Sequence, residues 1–593
     1  MTGASVQRVV STGLWAVVVS LGLFSNDLAA TEPIHSAIGV TRTGAGIECE
    51  IDSADLNLEG NTTRLLLVAG GDGQQDSVDA ARNVAKWFRD SSQAAAFREQ
   101  FSLSIIPCLN PDGLANGLGQ ANGAGGNPTR GYPPQGPAYH DIKNPEAAYV
   151  WRWIGMHAPD LVIELRIADE SQWEIVAGAN AKLDQLTERL SNATRFARDD
   201  SLVAQLPRAA ACDVGTVPAI RWRGNGTNAI ASFQDLLTAV RECEWPRSNA
   251  RRELQRRLHR QPREIGGELL EHYGKELKQA VYIQSLAVIG RQRYFEANSD
   301  RDSDWLATVE DIVSDYVSGK RIATTKSGSD LSGHLVFTEL ARIANETRRD
   351  RYIELARVAA DLAFDAGGNI KEVMPFHNEM SDSVFMGGPI LASVGALTGD
   401  SRYFDACVQH LRFMRELDMR DDGLYRHSPL DEAAWGRGNG FPAIGVAMCL
   451  GDLSEDQSGR DEVLASFRKH MAALAKHQDP IGCWHQVIDH AESYREFTST
   501  CMITFAMCRG VRRGWLDKAT YDPVIERAWY AIRTRIGSDG KLVDVCTGTG
   551  KQKSLRDYYD RTAILGRDAR GGAMALLACN EIALWKSSNS SND

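Results

Sequence analysis

The sequence predicts a multidomain chain: an α/β domain followed by an all-helical domain whose helices come in pairs. Three observations lead there. At 593 residues the chain exceeds one ordinary domain and can bury more than one core. Between about residues 60 and 170, short apolar runs alternate with amphipathic ones. Beyond about residue 265, segment after segment carries an apolar stripe at helical spacing, and no strand pattern interrupts for long.

Charge and the N-terminus narrow the class of protein. The formal net charge of -11, from 66 basic and 77 acidic residues, gives no electrostatic reason to expect a nucleic acid partner. In the first thirty residues, Arg8 precedes the apolar run "GLWAVVVSLGLF", and "LAA" at 28–30 supplies small residues before "TEP". This reads as a secretory signal peptide, with a mature chain starting near Thr31 in the periplasm or outside the cell. The apolar part is short for a bilayer span, which leaves an uncleaved anchor as the runner-up. No other stretch is apolar enough to span a membrane. The eleven cysteines are odd in number, scattered, and free of any CxxC, so structural zinc through cysteine is unsupported. Cys407, Cys449, Cys501, Cys508 and Cys579 fall in apolar helical patterns, as buried thiols do.

The first half develops in order as "RLLLVAG", "SVDAARNVAKWF", "FSLSIIPCLN", "AAYVWRWIGMHA" and "PDLVIELR", strand and helix in turn. "GGDGQQD" at 70–76 closes one strand and opens a helix, a place where anions or metals bind, but it lacks the GxxxxGK[ST] and GxGxxG spacings of nucleotide sites. Over roughly residues 35–240 the chain resembles zinc carboxypeptidases of the metallopeptidase M14 type. The resemblance rests on "LLLVAGGDGQQDS", "IPCLNPDG", "NPTRGYPP" and "PDLVIELR". It places the family's HxxE pair on Asp72 and Gln75 and its later zinc histidine on Arg166, with Asn127 and Arg130 at the substrate-gripping pair. Amide oxygen binds zinc poorly and arginine offers no lone pair. No metal and no cofactor are expected, and residues 31–245 read as a carboxypeptidase-like α/β domain without zinc ligands.

Residues 246–263 read as a basic linker, since "RRELQRRLHRQPR" at 251–263 carries six arginines in an acidic protein. From 264 to 588 the grammar is helical. "FDACVQHLRFMREL" places Phe404, Cys407, Val408, Leu411, Met414 and Leu417 on one stripe. Small-residue helices such as "GGPILASVGALTG", "FPAIGVAMCL" and "GGAMALLACNEIALW" alternate with more amphipathic ones, as the inner and outer rings of a closed helical barrel require. Asp382, Arg437, Glu496 and Arg570 lie just before or at the start of the small-residue helices. A repeated helical hairpin puts all those starts at one end. The unusual residues therefore converge on one mouth.

Residues 330–588 resemble the unsaturated glycuronyl hydrolases of glycoside hydrolase families 88 and 105, which have an (α/α)6 barrel. Six collinear segments carry the resemblance: "MSDSVFMGGPILA", "GLYRHSPLDEAAWGRGNGF", "HQDPIGCWHQVID", "SYREFTSTCM", "IGSDGKLVDVCTGTG" and "RGGAMALLA". It implies a substrate made by a polysaccharide lyase, an oligosaccharide whose non-reducing end is a C4=C5 unsaturated uronic acid. It also implies a reaction that hydrates this enol ether, protonating C4 while water reaches C5. Such a step needs a carboxylic acid that gives up a proton and then, as carboxylate, helps deprotonate water, its pKa raised by an apolar wall or by a second carboxylate, which could instead position the water. By the resemblance, Asp431 is the proton donor, with Glu432 as the alternative, and Asp382 is its partner; local sequence alone also allows Asp382 as a helix N-cap. Trp435, Trp484 and Tyr494 are candidates for stacking on sugar rings, and His427, His485 and Arg437 for holding hydroxyls or the uronate. Glu496 completes the candidate substrate-binding set. Two other functions stay open on sequence: a cell-surface glycan-binding protein with an inactive barrel, and a peptidase acting through the first domain.

Overall fold

The computed structural model describes residues 32–178, 180–298 and 304–590. The expected signal peptide lies outside the described residues. Among those described, no helix is long and apolar enough to cross a membrane.

The first half is a mixed eight-stranded sheet. Its strands are β1 (Ile34–Val40), β2 (Gly46–Ile51), β3 (Thr63–Val68), β4 (Phe101–Ile106), β5 (Leu161–Ile167), β6 (Gln172–Val176), β7 (Ala193–Phe196) and β8 (Ala219–Gly224). They lie in the order β1-β2-β4-β3-β5-β8-β6-β7. The four central strands β4, β3, β5 and β8 run parallel, and β1, β2 and β6 join antiparallel. The apolar run Leu65–Val68 explains the centre of the sheet: side chains alternate in a strand, so Leu65 and Leu67 enter one core while Leu66 and Val68 enter the other. Helices cover both faces.

The second half is two concentric rings of helices. The inner ring comprises Tyr282–Asn298, the pair Gly328–Gly333 and Leu335–Ala341, Ser383–Thr398, Gly436–Asp452, Phe497–Arg512 and Ala569–Ser590. Each packs on the next and the last packs on the first, which closes the ring. Around it lie Pro262–Leu270, Trp305–Val317, Glu346–Ala360, Ser401–Asp418, Arg460–Lys476 and Lys518–Thr534. Inner helices such as Gly436–Asp452 are buried almost all round, which is why their sequences are rich in small residues. The all-helical barrel of the sequence is thus present, six helical layers against six.

The expected basic linker is a different object. Its residues form the helices Asn249–Leu258 and Pro262–Leu270, and Arg251, Arg257 and Arg260 are buried rather than solvated. Arg251 pairs with Asp160 at 2.5 Å and donates to the Leu58 carbonyl at 2.9 Å. Arg257 reaches the Thr534 carbonyl at 3.0 Å, and Arg260 the Arg533 carbonyl at 3.2 Å. The arginines tie the sheet to the barrel, a role composition cannot reveal. Arg42 with Asp560, and Arg152 with Asp544, add ion pairs across the same junction. All eleven cysteines are free thiols.

Candidate active site

The site is built on consecutive inner-helix starts. Asp382 is the N-cap residue of Ser383–Thr398, and Asn439, one turn into Gly436–Asp452, fixes the segment that carries His427. The Asn439 amide accepts from the Tyr425 N–H at 2.8 Å and donates to the Tyr425 and Trp435 carbonyls at 2.8 and 3.0 Å. The Ser381 N–H donates to the His427 carbonyl at 3.0 Å, joining the two mouth segments. The glycines of "WGRGNG" are close-approach positions: a Cβ on Gly436 would sit 2.6 Å from the His485 carbonyl oxygen, and one on Gly438 would sit 2.9 Å from the Trp435 ring.

These constraints place an imidazole against a carboxylate. His427 Nε2 lies 3.1 Å from Asp382 Oδ2, at ion-pair distance although not yet aligned as a hydrogen bond. On its other side, His427 Nδ1 lies 2.9 Å from the Tyr558 hydroxyl, which also accepts from the Gln552 N–H at 3.4 Å. The Gln552 contact uses a hydroxyl lone pair, so the hydroxyl proton is available to Nδ1. In the tautomer in which Nδ1 accepts that proton, Nε2 carries the imidazole proton towards Asp382. The Trp435 ring backs His427 at 4.3 Å and stacks near Tyr558 at 6.4 Å, and Arg437 lies over the same indole at 4.8 Å. His427, Trp435 and Tyr558 are all buried, while the Asp382 side chain keeps 10% of its surface exposed. The clamp faces inwards and the carboxylate faces the mouth.

Asp431 lies on the loop between His427 and Trp435, partly exposed, with one oxygen accepting from the Ala433 N–H at 2.8 Å. Burial pushes the Tyr558 hydroxyl far up, and the Asp431 and Asp382 carboxylates add to the rise. Glu432 instead points to solvent and pairs with Arg426 at 2.5 Å. Asp418 lies buried at the end of the outer helix Ser401–Asp418, with Arg426 Nε 3.7 Å away. Burial pushes its pKa from 3.8 up to about 8, with Asp382 and Glu432 adding to the rise and Arg426 opposing it.

Several sequence candidates are committed elsewhere. Arg437 is buried and donates to the Cys546 and Thr547 carbonyls, each at 2.8 Å, so its guanidinium braces the strand Leu542–Cys546. Glu496 caps the helix Phe497–Arg512, accepting from the Thr498 N–H at 3.0 Å and the Ser499 N–H at 2.5 Å, and also from the Cys546 N–H at 2.9 Å. Trp484 is buried in the barrel core and donates to the Leu474 carbonyl at 2.7 Å. His485 is held between Asp479 at 3.1 Å and the Ser493 carbonyl at 2.6 Å. Tyr494 is buried at the junction of sheet and barrel, packed with Val40 and Val487. Sugar stacking or gripping by Trp484, His485 or Glu496 is replaced by these structural roles, because each polar atom named above already has a protein partner and both rings are enclosed, while the buried Tyr494 lines the cavity between sheet and barrel. Trp435 is a wall behind His427 rather than an open platform.

Two residues of the site were not singled out from sequence. Tyr558 lies 131 positions from His427 in "SLRDYYDRT", and nothing local marks which of its two tyrosines faces inwards. Asp418 sits at a helix end, where a carboxylate ordinarily meets water. In the first half, the residues at the resemblance's zinc positions pair among themselves or with neighbours: Asp72 accepts from Ser77 at 2.7 Å, Gln75 donates to Asp79 at 2.8 Å, and Arg166 donates to Glu164 at 2.6 Å. Among the described residues no group of three or more metal-ligating side chains comes together.

Comparisons with known proteins agree with the helical half. An unsaturated 3S-rhamnoglycuronyl hydrolase of Alteromonas sp. (strain LOR) is 28% identical over 193 residues, 32% of this chain and 40% of that protein. The unsaturated rhamnogalacturonyl hydrolase YesR of Bacillus subtilis (strain 168) is 24% identical over 188 residues, 30% of this chain and 52% of that protein. The chain thus spans about half the length, or less, of these curated relatives. A solved structure described as a possible member of the GH105 family, from Salmonella enterica serovar Paratyphi A, covers 57% of this chain and 94% of its own at 24% identity and a TM-score of 0.45. A metallo-carboxypeptidase from Burkholderia cenocepacia covers 36% of this chain and 65% of its own, at 12% identity and a TM-score of only 0.31. Residues 254–585, more than half of the chain, match the family described as Glycosyl Hydrolase Family 88, and the chain belongs to that family.

Proposed function

We propose that this chain removes a C4=C5 unsaturated uronic acid from the non-reducing end of an oligosaccharide left by a polysaccharide lyase. The reaction is hydration followed by release. Asp431, the partly exposed acid at the mouth, gives its proton to C4. Asp382 orients the water that adds to C5 and takes up its proton, so that one water is consumed and the C4=C5 bond is lost. The C5 hemiketal opens to a ketone, the C1 hemiacetal collapses to an aldehyde, and the remaining sugar leaves with its oxygen. His427 and Tyr558 are positioning residues: they keep an Nε2–H aimed at Asp382 and so hold its carboxylate in place.

The observation that carries this reading is the Asp382–His427–Tyr558 line at an inner-helix start, with Asp431 on the loop that joins His427 to Trp435. Family membership and the printed activities of the two curated relatives support the substrate class. The first half, on its sequence motifs, is proposed as a zinc-free relative of carboxypeptidases that supports the barrel through its buried arginines. The test is turnover on a panel of lyase-generated oligosaccharides, followed by loss of the double-bond absorbance. Absence of turnover on every member of the panel, by folded protein, refutes it.

A further inference from the structure

A cavity away from the barrel mouth draws its walls from both halves of the chain. It lies between sheet and barrel, has a volume of about 50 Å3, and is walled by Arg64, Arg152 and Asp55 from one half and by Arg495, Arg535 and Asp544 from the other. Every one of these charged residues is nine-tenths or more buried. Their pairing is unequal. Asp55 faces Arg64 Nε at 3.7 Å and accepts from the Ser102 and Ser104 hydroxyls at 2.6 Å each. Asp544 is taken by Arg152. Arg495 pairs with Asp479, just behind the wall, at 2.8 Å.

Arg535 has the weakest pairing, sharing Asp544 with Arg152. It is 2% exposed, its Nε is 4.0 Å from the Asp544 oxygen, and it donates to the Ala531 carbonyl at 3.3 Å. The Nε atoms of Arg64, Arg495 and Arg535 are all buried without a hydrogen-bond partner. The one further basic group on the wall, His157, adds no charge at neutral pH, because burial lowers its pKa. On the wall itself, four buried guanidinium groups face two carboxylates, Asp55 and Asp544, with Asp479 pairing Arg495 from behind. A buried charge without a counter-charge is strongly unfavourable.

We propose that this cavity binds one small monovalent anion of halide size, held by Arg535 and Arg495, and that the anion locks the sheet to the barrel. One negative charge neutralises the surplus. A water occupies roughly 10–15 Å3 on this measure, so the cavity has room for an ion with a few waters and none for a sugar. Sulfate brings a second charge that nothing on the wall matches. A halide and a formate-sized carboxylate share the required chemistry. The site is independent of the glycosidase reading and does not touch the barrel mouth residues.

The experiment uses the whole chain. Its melting temperature is measured at constant ionic strength while chloride replaces gluconate, with formate and sulfate as parallel arms. The expected result is a rise with the logarithm of chloride concentration above the dissociation constant, matched by formate if the small carboxylate also fits, and not reproduced by sulfate. Arg535→Met should flatten the chloride dependence while leaving activity intact. Crystals soaked in bromide should show an anomalous peak within hydrogen-bond distance of Arg535, which decides the matter even if the variant fails to fold. Identical melting curves in chloride and gluconate, or a bromide peak only elsewhere, overturn the proposal. A parallel chloride response in folded Arg535→Met overturns it as well.

Discussion

Replacing Asp418 by asparagine tests the electrostatics of this buried helix end. In the folded chain Asp418 is buried, neither carboxylate oxygen has a hydrogen-bond partner, and Arg426 Nε stands 3.7 Å away. Burial holds its pKa at about 8, against 3.8 as the ordinary value. The native state therefore binds this proton more tightly than the unfolded chain does. Its contribution to stability is full below about pH 4 and is lost progressively as pH rises towards 8. At about 1.36 kcal/mol per pKa unit, the span corresponds to roughly 6 kcal/mol. Asparagine fills nearly the same volume and does not ionise. Asp418→Asn should match the wild type near pH 4 and exceed it at pH 8 by several kcal/mol, about 5–10 °C in melting temperature for a domain of this size. Thermal unfolding of both proteins between pH 4 and 8 measures the gap. A gap that stays constant with pH, or a variant less stable at pH 8, refutes the assignment of a buried, strained carboxyl.

Three further outcomes are expected. Asp431→Asn should lose about 10²- to 10⁴-fold in turnover of an unsaturated uronyl oligosaccharide, the scale of a general acid, with fold and binding kept; retention of more than about a tenth of the rate refutes the assignment, and Glu432→Gln beside it shows whether the acid lies one position on. Tyr558→Phe leaves His427 Nδ1 buried without its donor, a cost of about 1–3 kcal/mol, so kcat should fall about 10-fold with KM unchanged and nitrogen NMR of labelled histidine should show a changed His427 tautomer; an unaltered tautomer removes Tyr558 from the proposed clamp. Elemental analysis of the purified chain should find no stoichiometric zinc, because Asp72, Gln75 and Arg166 make no competent donor set; one tightly held zinc per chain contradicts this.

How much was legible follows from where each signal resides. Helical stripes such as Phe404 to Leu417 are local, and so is the strand run Leu65–Val68; both were readable because burial imposes a period on sequence. Asp382 was readable as an inner-helix start, and the structure shows why "WGRGNG" carries glycines: a Cβ at Gly436 would meet the His485 carbonyl. Polar partners are another matter. Arg437, Glu496 and Arg570 do converge, but on the backbone of Cys546, which accepts from both arginines and donates to Glu496. From sequence, a residue that braces a strand and one that grips a substrate look alike. The arginines of 251–263 mislead for the same reason: composition predicts solvent, whereas Arg251 finds Asp160 some ninety positions away. Tyr558 and Asp418 were invisible because a buried contact 131 residues distant, or the desolvation of one helix end, leaves no local pattern.

The claim that the chain hydrates an enol ether is tested most directly by turnover of an unsaturated uronyl disaccharide in deuterated water, followed by NMR. The account predicts that one deuteron enters at C4, that the vinyl signal of H4 disappears in step with release of the second sugar, and that Asp431→Asn slows both together. Release of the second sugar while the vinyl signal persists means direct cleavage of the glycosidic bond, and contradicts the account.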